Sequence, residues 1–147
     1  MLRTSLSDPI RVDLLPQGAL AGPGRLGMTF APGKRGAGVT ACWERDLDAD
    51  LARLKDVWQV GALVSLLEDH ELPMLGIPDL YGRAEAHGLM VIRFPIRDVS
   101  VPGSVSDTAA LVRRVLALVE AGETVCLHCR GGWGRTGLVA ACTLVAA

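Results

Sequence analysis

Cys129 and Arg135 stand with five residues between them in His128-Cys129-Arg130-Gly131-Gly132-Trp133-Gly134-Arg135-Thr136-Gly137. A thiol and a guanidinium joined by a glycine-rich loop suit one kind of chemistry: holding an oxyanion and attacking it. A tight loop that enters a helix turns several backbone N–H groups toward one point. The positive end of the helix dipole adds to them, and together they make an anion site. Gly131, Gly132 and Gly134 allow the close approach and positive φ values such a cradle needs. Arg135 at the far end can close over a phosphate with a two-pronged hydrogen bond. Cys129 opens the loop, so its sulfur falls at the floor of the cradle. The field that binds phosphate also stabilises a thiolate, and a thiolate beneath a phosphoryl group is a nucleophile in line with phosphorus.

The flanking elements must position that loop. The apolar run 124–128 reads as a buried strand, and an apolar helical run follows the loop to the C-terminus. Upstream, Val12–Leu15 and Leu26–Phe30 read as short strands, the latter inside a Gly/Pro-rich stretch, 18–38, of turns. The basic residues of that stretch, Arg25, Lys34 and Arg35, read first as a solvated turn and second as an approach to a phosphate site. Asp46–Trp58 has apolar residues at helical spacing. Val60–Leu67 is apolar without alternation, as in a strand covered on both faces. Pro73–Pro78 reads as a loop, Pro78–His87 as a short helix stopped by Gly88, and Leu89–Ile96 as the next strand. Ser104-Val105-Ser106-Asp107 resembles a capping box. It opens a helix to Ala121 whose expected buried stripe is Val105, Ala109, Val112, Leu116 and Val119. Strands alternating with helices predict an α/β fold: a mostly parallel central sheet with helices on both faces. Ligands in such folds sit beyond the C-terminal ends of strands, where the Cys-x5-Arg loop falls.

Cleaving a phosphate ester also needs an acid for the leaving oxygen. The loop after strand 89–96 should open on the same sheet edge, and it carries Asp98, 31 positions before Cys129. Asp107 is the alternative, although capping a helix already explains it.

The loop from His128 to Gly137 resembles the signature loop of the cysteine-dependent protein tyrosine and dual-specificity phosphatases. Pro95-Ile96-Arg97-Asp98, Leu26-Gly27-Met28 and Ala31-Pro32-Gly33 extend the likeness, toward the kinase-associated branch of cyclin-dependent kinase inhibitor type. The resemblance runs from about residue 25 to the end. It implies catalytic roles for Cys129, Arg135, Asp98, Thr136 and His128. Asp98 is the general acid, the Thr136 hydroxyl assists the sulfur's departure, and His128 orients the loop and tunes the thiolate. Arg130, Gly131, Gly132, Trp133, Gly134 and Arg135 bind phosphate. The implied substrate is a phosphorylated protein carrying phosphotyrosine, with phosphoserine or phosphothreonine as further targets. Alternatives are a non-catalytic phospho-ligand binding module and a phosphoinositide phosphatase, for which Arg130 adds charge at the mouth. No cofactor or metal is implied.

The chain has 147 residues and a net charge of −1, which suits one domain and argues against bulk attraction to nucleic acid. Four cysteines are too few for a disulfide framework. Cys126 and Cys129 form a Cys-x-x-Cys pair without two further ligands at a zinc spacing. Cys126 and Cys142 are candidates for a regulatory disulfide with Cys129. No stretch is long enough for a membrane span, and a thiolate nucleophile favours the reducing cytoplasm. Residues 1–10 read as a loose arm. The usual further C-terminal helices of such phosphatases have no counterpart before Ala147, so the apolar 138–147 helix is expected to need cover and to promote self-association.

Overall fold

The computed structural model describes residues 1–147. In chain order the strands and helices are β1 (Leu2–Arg3), β2 (Asp13–Leu14), β3 (Arg25–Thr29), β4 (Arg35–Ala37), β5 (Cys42–Glu44), α1 (Leu47–Asp56), β6 (Val60–Ser65), α2 (Glu71–Met74), α3 (Leu80–Ala86), β7 (Met90–Arg93), α4 (Val105–Glu120), β8 (Thr124–His128) and α5 (Gly134–Ala146). The main sheet runs β2-β3-β8-β6-β7. β8 lies at its centre, parallel to β3 and β6, and β7 is parallel to β6; β2 alone runs antiparallel, on the outer edge of β3.

The sheet is covered on both faces because its inner strands are apolar on both sides. Leu63 and Cys126 face one core, with Leu51, Leu54 and Leu80 from α1 and α3. Their neighbours Ala62, Val64, Val125 and Leu127 face the other, with Val115 and Val119 of α4 and Val139 and Ala140 of α5. Fully burying one such aliphatic side chain contributes about 1.5–3 kcal/mol. Two helix starts follow sequence signals: Asp46 accepts from the Ala49 N–H at 2.8 Å, and Ser104 Oγ accepts from the Asp107 N–H at 3.2 Å.

Several expectations are corrected. Residues 1–10 are tied down, not loose. β1 pairs in parallel with β5, and Ile10 is fully buried. The Ile10 carbonyl accepts from Arg53 Nε at 3.0 Å and Trp58 Nε1 at 3.1 Å. Arg45 reaches the Thr4 and Asp8 carbonyls at 3.3 and 2.7 Å while its Nε and Nη2 grip buried Asp50 at 2.8 and 3.0 Å. A second sheet, β1-β5-β4, joins the start of the chain to residues 35–44 through strands of two or three residues, too short for periodicity to reveal. The expected loop at 73–78 begins inside α2, since Pro73 sits in a first turn where its missing N–H costs nothing. The α4 stripe is met in part: Val112 and Val119 are buried and Leu116 packs against the core, but Val105 is exposed, and Leu111 and Val115 face the core as well. An apolar helix offers overlapping stripes, and packing on β8 and α5 selects one of them. α5 buries one side, through Val139, Ala140 and Thr143, and leaves Leu144 partly and Val145 largely exposed.

Candidate active site

Three loops at the C-terminal edge of the main sheet enclose a cavity of about 1020 Å³. Its floor is the loop between β8 and α5, with Cys129, Arg130, Gly131 and Gly134. The β4–β5 hairpin forms one wall and the segment 98–101 another. Trp133 stands 84% exposed at the rim.

Cys129 is buried, at the end of a central strand. Its Sγ accepts from the Gly132 N–H at 3.3 Å and lies 3.8 Å from the Thr136 hydroxyl. The Gly132 N–H and the start of α5 both face the sulfur. Gly132 has φ +82°, and a Cβ there would meet the Thr29 carbonyl carbon at 2.8 Å, so both conformation and space demand glycine.

His128 is fully buried. Its Nδ1 donates to the Cys129 carbonyl at 3.2 Å, and its Nε2 has no partner. Burial lowers its pKa to about 4, the bond to the Cys129 carbonyl partly opposing, so the ring is neutral at physiological pH.

Arg135 is held from three sides. Glu71 at the start of α2 takes both terminal nitrogens, Nη1 at 2.7 Å and Nη2 at 2.9 Å. Nη1 also donates to the Ile96 and Leu66 carbonyls at 3.0 and 3.4 Å. Asp98 Oδ1 lies 3.3 Å from Nη2. The Nε has no partner. Burial works to raise the Glu71 pKa, but the Arg135 hydrogen bonds and the Glu68 N–H outweigh it and hold the carboxyl below its ordinary value. Burial likewise opposes the Arg135 charge, and Glu71 overcomes it.

The sequence candidates therefore divide. Cys129, Arg130, Gly131, Trp133, Gly134, Arg135 and Asp98 line one cavity, and Thr136, Gly132 and His128 support its floor from beneath. Asp107 is not among its lining; it borders a separate cleft with Ile92 and Arg114. Lys34 and Arg35 line the cavity, whereas Arg25 donates to the Leu15 carbonyl instead. Cys126 packs in the opposite core from Cys129, with its pKa pushed up by burial, and all four thiols are free. Sequence reasoning missed Glu71. Its available signal was a carboxylate in Glu68-Asp69-His70-Glu71, just beyond a strand end on the sheet edge that holds the loop.

A thiol, a glycine-rich loop with an arginine, and a carboxylate border one cavity, and comparison gives the family to which a chain so arranged belongs. Residues 37–147 match the family model described as Tc-R-P, polymorphic toxin system, DSP-PTPase phosphatase, and the chain belongs to that family of dual-specificity and tyrosine phosphatase type. It is 26% identical over 137 residues to cyclin-dependent kinase inhibitor 3 of Sus scrofa, covering 93% of this chain and 62% of that protein. The protein of the same name from Rattus norvegicus matches equally. The chain thus spans less than two thirds of these relatives' length. Among solved structures, kinase-associated phosphatase with its catalytic-site cysteine replaced by serine superposes with a TM-score of 0.83 at 22% identity, over 95% of this chain and 75% of that one. Tk-PTP in its active form superposes with a TM-score of 0.63 at 27% identity, over 84% and 69%. The fold is that of these phosphatases.

Proposed function

We propose that this chain is a metal-independent phosphomonoesterase acting on phosphorylated protein through a cysteinyl-phosphate intermediate. The observation that carries the reading is the convergence of the Cys129 sulfur, the Arg135 guanidinium and the Asp98 carboxylate on one cavity. The loop N–H groups and Arg135, with its unpartnered Nε, bind the phosphoryl oxygens. The incoming phosphoryl group takes over the Arg135 edge that Asp98 holds in its absence, and Asp98 turns to the ester oxygen. Cys129 Sγ attacks phosphorus, the P–O ester bond breaks, and the Asp98 proton passes to the leaving oxygen. Asp98 then takes a proton from water, whose oxygen attacks phosphorus. The P–S bond breaks, and the Thr136 hydroxyl steadies the departing thiolate.

The test is hydrolysis of p-nitrophenyl phosphate in excess EDTA by the wild type and by Cys129→Ser. Activity that survives EDTA and falls at least about 10⁴-fold in the variant supports the reading. Unchanged turnover in the variant would sink it. Tungstate binding without any turnover would turn the chain into a binding module. Asp98→Ala slows substrates with poor leaving groups most; uniform slowing would place the acid elsewhere.

The cytoplasm suits this chemistry, since the nucleophile must stay reduced, and no helix is long and apolar enough to cross a membrane. Association of copies through the exposed Leu144 and Val145 side of α5 belongs to the same proposal; a single monomeric species in sedimentation would count against it.

A further inference from the structure

Lys34 is only 7% exposed, an unusual place for an ammonium group. Its Nζ lies over two rings, 4.0 Å from the centre of Trp43 and 4.6 Å from that of Phe30. Those ring faces attract a cation and fix its direction. Its hydrogen bond goes to the Arg130 carbonyl at 3.3 Å, across 96 residues of chain. Burial is costly for this charge, and Arg45 and Arg130 add repulsion; together they lower its pKa to about 8, with Cys129 opposing them. Lys34 itself follows Gly33, whose N–H is gripped by buried Asp50 at 2.8 Å, so the turn that presents the ammonium is rigid.

The Arg130 carbonyl also accepts from the Ala31 N–H at 3.2 Å. No peptide bond in the chain is cis. In a planar trans peptide the carbonyl and the following N–H point in opposite directions. Two donors that hold the Arg130 oxygen against residues 31–34 therefore turn the Gly131 N–H the other way, toward the inside of the loop. His128 does the same for the preceding peptide, since its bond to the Cys129 carbonyl sets the direction of the Arg130 N–H. A charged donor also binds the carbonyl more strongly than a neutral one and polarises the peptide, which makes its N–H a better donor.

We propose that Lys34 is a positioning residue of the anion cradle, acting through the Arg130 carbonyl to aim and polarise the Gly131 N–H. The proposal rests on the reading of 129–135 as an oxyanion site. It explains why a lysine is kept in an aromatic cage beside two arginines, where neither solubility nor packing calls for one.

The experiment is tungstate titration by calorimetry at pH 7 on the wild type, Lys34→Met and Lys34→Arg, with the Gly131 amide followed by NMR and folding checked by thermal melting. The expected result is a loss of about tenfold in tungstate affinity for Lys34→Met, with recovery in Lys34→Arg. The Gly131 amide signal should move in the methionine variant and return in the arginine variant. Affinity within about twofold of wild type in Lys34→Met would overturn the proposal while leaving the phosphatase reading intact. So would a loss of affinity with the Gly131 amide unmoved, since bulk charge would then account for it. If Lys34→Met fails to fold, Lys34→Gln takes its place, with the same expected loss. Failure of all variants to fold would also overturn the proposal, because Lys34 would then be a residue of the fold rather than of the loop. A wild type that binds no tungstate would remove the cradle itself.

Discussion

Glu71 has no bond to make or break in phosphate chemistry, yet Arg135 is aimed by it. The two form a buried bidentate pair at 2.7 and 2.9 Å. Removing one member of such a pair leaves an uncompensated charge, at a cost of about 3–5 kcal/mol. Glu71→Gln should therefore lower stability by that order and raise KM for p-nitrophenyl phosphate more than it lowers kcat. Equal KM in the folded variant would show that Arg135 needs no such partner. His128 makes a second prediction, in pH. Its folded-state pKa is about 4, below the ordinary histidine value of 6.5, so the fold favours the neutral ring. As pH falls from 6.5 to 4 the unfolded chain takes up a proton that the folded chain refuses, and about 3 kcal/mol of stability is lost. Denaturant titration across that range should show a steeper loss in the wild type than in His128→Asn, which keeps only the contribution of carboxyls such as Glu71; parallel slopes would refute the assignment. Cys129, Arg135 and Thr136 were legible in the sequence because their spacing is local. Glu71 was not, because its bond to Arg135 spans 64 residues, and Lys34 was read only as a second choice, as an approach to a phosphate site, because its bond to the Arg130 carbonyl spans 96 residues.

At the scale of elements, the strand-loop-helix unit from β8 to α5 was readable to within a residue at its start, since an apolar strand, three glycines and an apolar helix are each strong local signals. The β4–β5 hairpin was not. Its strands have three residues each, and the pairing that stabilises it comes from β1, a partner more than 35 residues earlier. The α4 face was read only in part, with Val112, Leu116 and Val119 right and Val105 wrong, for a related reason: several stripes were apolar, and only the neighbouring helix and sheet choose among them. The Asp98 loop makes its own prediction. Val99 has φ +55°, a left-handed conformation that a β-branched residue adopts only at a cost. Its N–H is held by Asp98 Oδ1 at 3.0 Å. Val99→Asn, which suits that conformation, should stabilise the fold by about 1 kcal/mol while preserving the position of the Asp98 carboxyl. A fall in melting temperature would mean that the Val99 side chain contributes more than its backbone costs.

Across the whole molecule, the expectation of a parallel sheet with helices on both faces holds, because alternating elements joined by short connections leave few other arrangements. The first ten residues departed from expectation because their ties are backbone carbonyls gripped by Arg45, Arg53 and Trp58, which no pattern of side-chain types foretells.

The grip on Arg135 has a kinetic meaning as well. Its partners lie 64, 69 and 39 residues away along the chain. Loops of that length close late and together, after the local helices have formed. A half-folded chain, even one with β8 and α5 in place, would hold its arginine at random. In stopped-flow refolding, recovery of p-nitrophenyl phosphate turnover should never run ahead of the slowest phase seen by tryptophan fluorescence. On the proposed reading, hydrolysis is a property the chain would acquire all at once, so that a nascent or damaged copy would be silent rather than weakly and indiscriminately active.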